Sequence, residues 1–169
     1  SLKHIKTINN IGFPRYITKV TDNKAYISTW GTGSGNKVEI LDLNSDEIIG
    51  SINCGKGPEA IVVSNGYAYV CNIGGYEKDN TISVIDIYSD QVISTITVND
   101  KPNSAVIDLN NNLWIICGGE IDYSNWPNLT SLSTASILML NNNNIEKSFE
   151  LSATDSPKNL TYDNNILYY

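Results

Sequence analysis

Histidine is nearly missing from this chain, His4 being the only one. It falls in the first expected strand, so no Ser-His-Asp or Cys-His pair and no histidine-based metal site is expected. Basic residues are thin as well. Lys and Arg number 11 against 18 Asp and Glu, for a formal net charge of -7. The few cations are scattered along the chain, so the clustered positive face that a nucleic-acid partner requires is excluded. Cysteine is scarce and odd in number: Cys54, Cys71 and Cys117 form no CxxC and no Cys/His cluster. They read as buried free thiols rather than as a metal site or a disulfide framework. No apolar run approaches the roughly 18 residues of a spanning helix, and residues 1–8 lack the basic-then-apolar signature of a secretory signal. The chain is expected to be a soluble segment, mature or cropped, with no catalytic residues, metal or cofactor.

What the sequence has in abundance is self-similarity. Pro14-Arg-Tyr-Ile, Pro58-Glu-Ala-Ile, Pro102-Asn-Ser-Ala and Pro157-Lys-Asn-Leu recur at spacings of 44, 44 and 55 residues. An aromatic follows each proline by 11 or 12 positions, at Tyr26, Tyr69, Trp114 and Tyr168. A third apolar segment ends in Asp42, Asp86 or Asn141, the last displaced by an 11-residue insertion that accounts for the longer spacing. Each unit closes with Glu47-Ile-Ile-Gly-Ser-Ile, Gln91-Val-Ile-Ser-Thr-Ile or Ile145-Glu-Lys-Ser-Phe-Glu, alternating apolar and polar residues as half-buried edge strands do. Between these segments stand Asn65-Gly66, Asn142-Asn143, Asn164-Asn165 and similar pairs, which tolerate left-handed backbone in hairpins. Four strands per unit at a period near 44 predict an all-β fold, a β-propeller of four-stranded antiparallel blades.

About four blades are expected, as a partial ring of a propeller of about seven or eight. Residues 1–12 read as the last strand of a preceding blade, 13–56 and 57–100 as blades, and 101–155 as a blade carrying an insertion over 118–135. Residues 156–169 read as the first two strands of a further blade. An arc of this kind exposes strand edges and blade faces through which copies could self-associate.

Gly57-Pro-Glu-Ala-Ile through Asn72 and Thr81-Ile-Ser-Val-Ile-Asp-Ile resemble the YVTN-type propeller repeat. The whole chain, with Gly118-Gly119 opening its insertion, is similar to the YncE-like surface propellers of Bacteroidetes, described as surface-layer proteins or lipoproteins. That resemblance implies export to the cell surface or periplasm, any lipid anchor lying outside this segment. It also implies a binding role without catalytic activity, because relatives include lipoproteins that capture cobalamin for an outer-membrane transporter. The partner would be a corrinoid or another small ligand, or a surface protein if the propeller is a scaffold. A propeller lyase or lactonase is the remaining alternative, with Glu59, Glu77 and Glu120 as its available acids.

Propellers bind ligands at the mouth of the central channel, where loops between blades meet loops between second and third strands. Those loops supply the candidate ligand-binding set Arg15, Tyr16, Trp30, Glu59, Asn72, Tyr76, Asn103, Tyr123, Trp126 and Lys158. Trp30 and Trp126 read either as stacking platforms or as aromatics packed over a blade end. Arg15 reads either as a partner for an anion or as a cation-π group. Asp42 and Asp86 recur in register and are expected to cap turns, while Tyr69 and Trp114 are expected in the core.

Overall fold

The computed structural model describes residues 3–9, 11–31, 36–152 and 155–169. Every regular element in it is a strand, and every pairing is antiparallel. The first sheet runs β1 (Phe13–Thr21), β2 (Lys24–Trp30), β3 (Lys37–Asp42) and β4 (Glu47–Asn53), each bonded to the next. The second repeats that order with β5 (Pro58–Ser64), β6 (Tyr67–Asn72), β7 (Thr81–Asp86) and β8 (Gln91–Thr97). In the third, β9 (Pro102–Ile107) and β10 (Leu113–Cys117) are followed by a small hairpin of β11 (Glu120–Asp122) and β12 (Thr130–Ser133). The sheet then resumes with β13 (Ser136–Asn141) and β14 (Asn144–Glu150). A last hairpin pairs β15 (Thr161–Asp163) with β16 (Ile166–Tyr168). The insertion is thus a separate hairpin grafted between the second and third strands of the third blade.

The turns follow from local chemistry. Asn65-Gly66, Asn142-Asn143 and Asn164-Asn165 all carry paired positive φ angles, the geometry of the two-residue turns whose twist matches antiparallel strands. The Asp42 carboxylate accepts from the N–H groups of Asn44 and Ser45 at 2.7 and 3.1 Å. Asp86 accepts from Tyr88 and Ser89 at 2.9 and 2.8 Å. One repeat position thus closes the same turn twice.

Alternation along the middle strands explains why single sheets stack. In β7, Ile82 and Val84 face the third sheet with Ala105, Leu113, Ile115, Cys117 and Leu138. Ile85, on the opposite face, joins Tyr26, Val38, Ile40 and Ile52 of the first sheet. A strand that is apolar on both faces requires a neighbour on each side. Tyr69 and Trp114 are half-buried, not enclosed: Tyr69 packs against the core between the second and third sheets, and Trp114 stacks on Phe149 with centroids 6.4 Å apart.

Two expectations need correction. Residues 3–9 form no strand; Ile8 and Ile11 instead pack their side chains on Ala25, Ile27 and Leu41. β14 does not alternate between buried and exposed positions as β4 and β8 do, but is exposed along its length. The unit beside it contributes only β15 and β16, which cover the inner part of the third sheet through Leu160 and Leu167.

Candidate functional site

A cavity of about 470 Å³ opens on the loop face of the stacked sheets. Its wall is built from four places: Trp30 at the end of β2, the β6–β7 loop with Tyr76, Glu77 and Lys78, the start of the third sheet with Lys101 and Asn103, and the segment Ser156–Lys158. The insertion closes it with Gly118, Gly119, Glu120, Ile121 and Tyr123. These are the inter-blade loops and second-to-third-strand loops.

A repeated backbone clasp sets their positions. The N–H groups of Ile73 and Gly74 donate to the carbonyls of Gly57 and Lys56, both at 2.9 Å. One repeat later, Gly118 and Gly119 donate to Lys101 and Asp100 at 2.9 and 3.1 Å. Gly57 and Lys101, each the residue before a repeat proline, share a φ of 57°. The first clasp is so tight that a Cβ on Gly57 would lie 2.1 Å from the Gly75 nitrogen.

Behind the cavity, Arg15 forks onto the Glu59 carboxylate through Nε and Nη2 at 3.0 and 3.1 Å. Its guanidinium lies 4.2 Å from the centroid of the Trp30 ring, and the hydrogen bond with Glu59 holds its pKa above the ordinary value. The Trp30 indole N–H donates to the Pro58 carbonyl at 3.0 Å, and Tyr76 meets the same ring edge-on at 6.0 Å. Trp30 therefore has a fixed orientation, with Arg15 over its ring and Tyr76 at its edge on the cavity wall.

The charged wall is unevenly compensated. Lys101 and Lys78 both approach Glu120, at 3.0 and 3.5 Å, while Glu77 is neutralised by Lys56 at 2.5 Å. Among the described residues Lys158 has no carboxylate within salt-bridge distance, although it lines the cavity. Asn103 donates to the Pro157 carbonyl at 2.9 Å, while its buried Oδ1 has no donor among the described residues.

Of the candidate residues, the structure brings Trp30, Tyr76, Asn103, Tyr123 and Lys158 to one cavity. Arg15 and Glu59 stand behind it, holding Trp30. Tyr16 lies instead in a groove along the innermost strands. Asn72 is fully buried, donating to Thr81 and Ser83 at 3.0 and 2.9 Å inside the second blade. Trp126 sits on the β11–β12 hairpin, 73% exposed and outside the cavity wall. Lys78, Lys101 and Glu120 complete the wall without having been in that set; their signal was only their place in the same loops.

No family model matches the sequence, and no curated protein matches it either. Among solved structures, the chain is similar to hydrazine synthase of Kuenenia stuttgartiensis, with a TM-score of 0.63 at 20% identity. It is also similar to the dihydro-heme d1 dehydrogenase NirN in complex with DHE, with a TM-score of 0.62 at 12% identity. The alignments cover 90% and 88% of this chain. The fold is a β-propeller. The propeller blades here span only 40% and 31% of those two chains. Both neighbours are enzymes by name, which overturns the expectation of a chain without catalytic activity: a propeller fold is no ground for it.

Proposed function

We propose that these blades belong to an exported propeller of the YVTN/YncE type, at the cell surface or in the periplasm, and that the mouth cavity holds an amphipathic small molecule. The observation that carries this reading is the convergence of Trp30, Tyr76, Tyr123, Asn103 and Lys158 on one cavity from successive repeats. Aromatic faces beside a few convergent polar groups are what a small-ligand site consists of. The sharpest version of the ligand is a corrinoid. A cavity of about 470 Å³ falls within the range for drug-sized molecules, about 300–1,000 Å³, so a corrinoid would lie across the mouth with one edge inserted.

The test is a fluorescence titration of this chain with cobalamin and cobinamide, corrected for their absorbance, with light scattering on the same sample to fix its mass. Saturable quenching that is lost in Trp30→Ala supports the reading. Equal affinity for both compounds places the corrin ring, not the nucleotide loop, at the mouth. No quenching by either compound rejects the corrinoid version, and a doubled mass reports association through open blade edges.

A second reading is a scaffold that contacts another surface protein. The β11–β12 hairpin favours it, since Tyr123, Trp126, Leu129 and Leu132 all leave large apolar area in solvent. Loss of a partner in Trp126→Ser/Leu129→Ser, with small-molecule binding intact, would separate it from the first.

A further inference from the structure

We propose that the turn of the β11–β12 hairpin, with Tyr123, Trp126 and Leu129, docks on the interfacial layer of a lipid bilayer while the blades stay in water. The proposal does not depend on what the mouth cavity holds. It assigns to lipid the side chains that a partner protein would cover in the second reading above.

Composition is the first observation. Residues 123–135 carry no charged side chain, in a chain with 11 Lys and Arg and 18 Asp and Glu. A surface without ionic groups offers a protein partner no charge pattern to recognise, whereas every charge taken into lipid is penalised. Tyr and Trp carry amphipathic rings that settle at the membrane–water interface, and Leu129 adds an aliphatic group beside them. The polar residues of the same turn, Ser124, Asn125 and Asn128, are neutral, which suits headgroup depth and not the hydrocarbon centre.

The second observation is exposure. Residues 123–132 are exposed without interruption, Trp126 at 73% and Tyr123 at 56%. Ten residues on one hairpin make a narrow projection, against the about 20–30 residues a side of a stable protein interface. A lipid surface needs no matching contour and accepts a projection of this size.

The third is the separation of charge between base and turn. At the base, Glu120 pairs with Lys101 and Lys78 at 3.0 and 3.5 Å, and the Ser133 hydroxyl donates to Asp100 at 2.6 Å. These contacts tie the hairpin to the loops of the second and third blades. In the turn, the Trp126 N–H donates to the Tyr123 carbonyl at 3.3 Å and the Asn128 N–H to the Asn125 carbonyl at 2.8 Å. Internal bonds of this kind lower the cost of taking backbone out of water. Asp122 and Glu120, at the start of the hairpin, limit how deep it can go. Because Tyr123 also lines the mouth cavity, docking brings that mouth to the bilayer surface, where amphipathic molecules partition.

The test mixes the full chain with phosphatidylcholine vesicles carrying brominated acyl chains, and follows tryptophan emission and co-flotation. Of the three tryptophans, Trp126 alone is exposed, so its emission should shift to the blue and be quenched by the bromines. Leu129→Ser should weaken partitioning by about tenfold, the order expected for one leucine side chain leaving water. Trp126→Ser should lose the bromine quenching, and both variants should keep the wild-type urea midpoint because the side chains they remove are exposed. Leu109→Ser, which removes a leucine 79% exposed in the β9–β10 turn at the other end of β10, should change nothing. Replacing part of the lipid with phosphatidylglycerol should not tighten binding to a chain of net charge -7. Failure to co-float with phosphatidylcholine overturns the proposal and leaves the hairpin to a protein partner. Flotation that requires phosphatidylglycerol, that leaves Trp126 unquenched, or that Leu109→Ser weakens as much as Leu129→Ser overturns it too.

Discussion

Gly57→Ala should damage the fold and the cavity together. Gly57 has a φ of 57°, and a Cβ there would lie 2.1 Å from the Gly75 nitrogen and 2.6 Å from the Gly74 carbonyl carbon. Left-handed backbone alone costs an alanine about 1–2 kcal/mol. The overlap is with main chain, so the β6–β7 loop must move away. That movement stretches the Ile73–Gly57 and Gly74–Lys56 hydrogen bonds, each contributing about 0.5–1.5 kcal/mol. Together the loss is about 2–5 kcal/mol, a large part of the about 5–15 kcal/mol that holds a typical domain. Urea unfolding followed by tryptophan fluorescence would read it as a lowered midpoint at constant m. Because the displaced loop carries Tyr76 and Glu77, binding at the mouth should weaken in the same variant under conditions where it remains folded. The control is Lys101→Gly, which removes a similar backbone cost but adds the chain entropy of glycine, about 0.5–1 kcal/mol; it should stay within about 1 kcal/mol of wild type. A Gly57→Ala variant destabilised by less than about 1 kcal/mol would refute the clasp argument.

Asp108→Asn should cost about 2–4 kcal/mol in urea unfolding, because Asp108 Oδ2 accepts from both the Trp114 indole N–H and the Asn112 amide at 2.9 Å. An amide NH2 in that place would meet two donors. Burial works to raise the Asp108 pKa, but these bonds and those from the Asn110 and Asn112 backbone hold it below the ordinary carboxylate value. Its contribution is therefore present above the unfolded pKa, about 3.9, and disappears as pH falls through the lower folded value. The gap between wild type and variant should narrow over that window. Burial pushes the Cys117 and Cys54 thiols up to about 12 and raises Cys71 as well. At pH 8 all three should stay protonated in the folded chain and react with a disulfide reagent only after denaturant is added; rapid native-state labelling of Cys71 or Cys117 would contradict the packing.

The repeats made the blades legible because each unit encodes its own strands and turns. Asn-Gly and Asn-Asn pairs dictate hairpins, and Asp42 and Asp86 close equivalent turns using only neighbours in sequence. The candidate site was harder to read. Position in a loop groups Trp30, Tyr76, Tyr123 and Lys158, which line one cavity, but also Asn72, whose side chain turns into its own blade to reach Thr81 and Ser83. It also groups Trp126 with them, which the structure leaves exposed on the β11–β12 hairpin outside that cavity wall.

By itself, the sequence determined the strand order, the four-stranded unit and the face on which variable loops gather, since periodicity and turn chemistry act over a few residues. Only the tertiary structure decided which loop residues meet. The Arg15–Glu59 fork spans 44 residues and the Lys101–Glu120 pair crosses a loop. The vacant acceptor of Asn103 is visible only once its neighbours are in place. Contacts of this kind depend on distances between loops set by the packed sheets, which no pattern along a single repeat records.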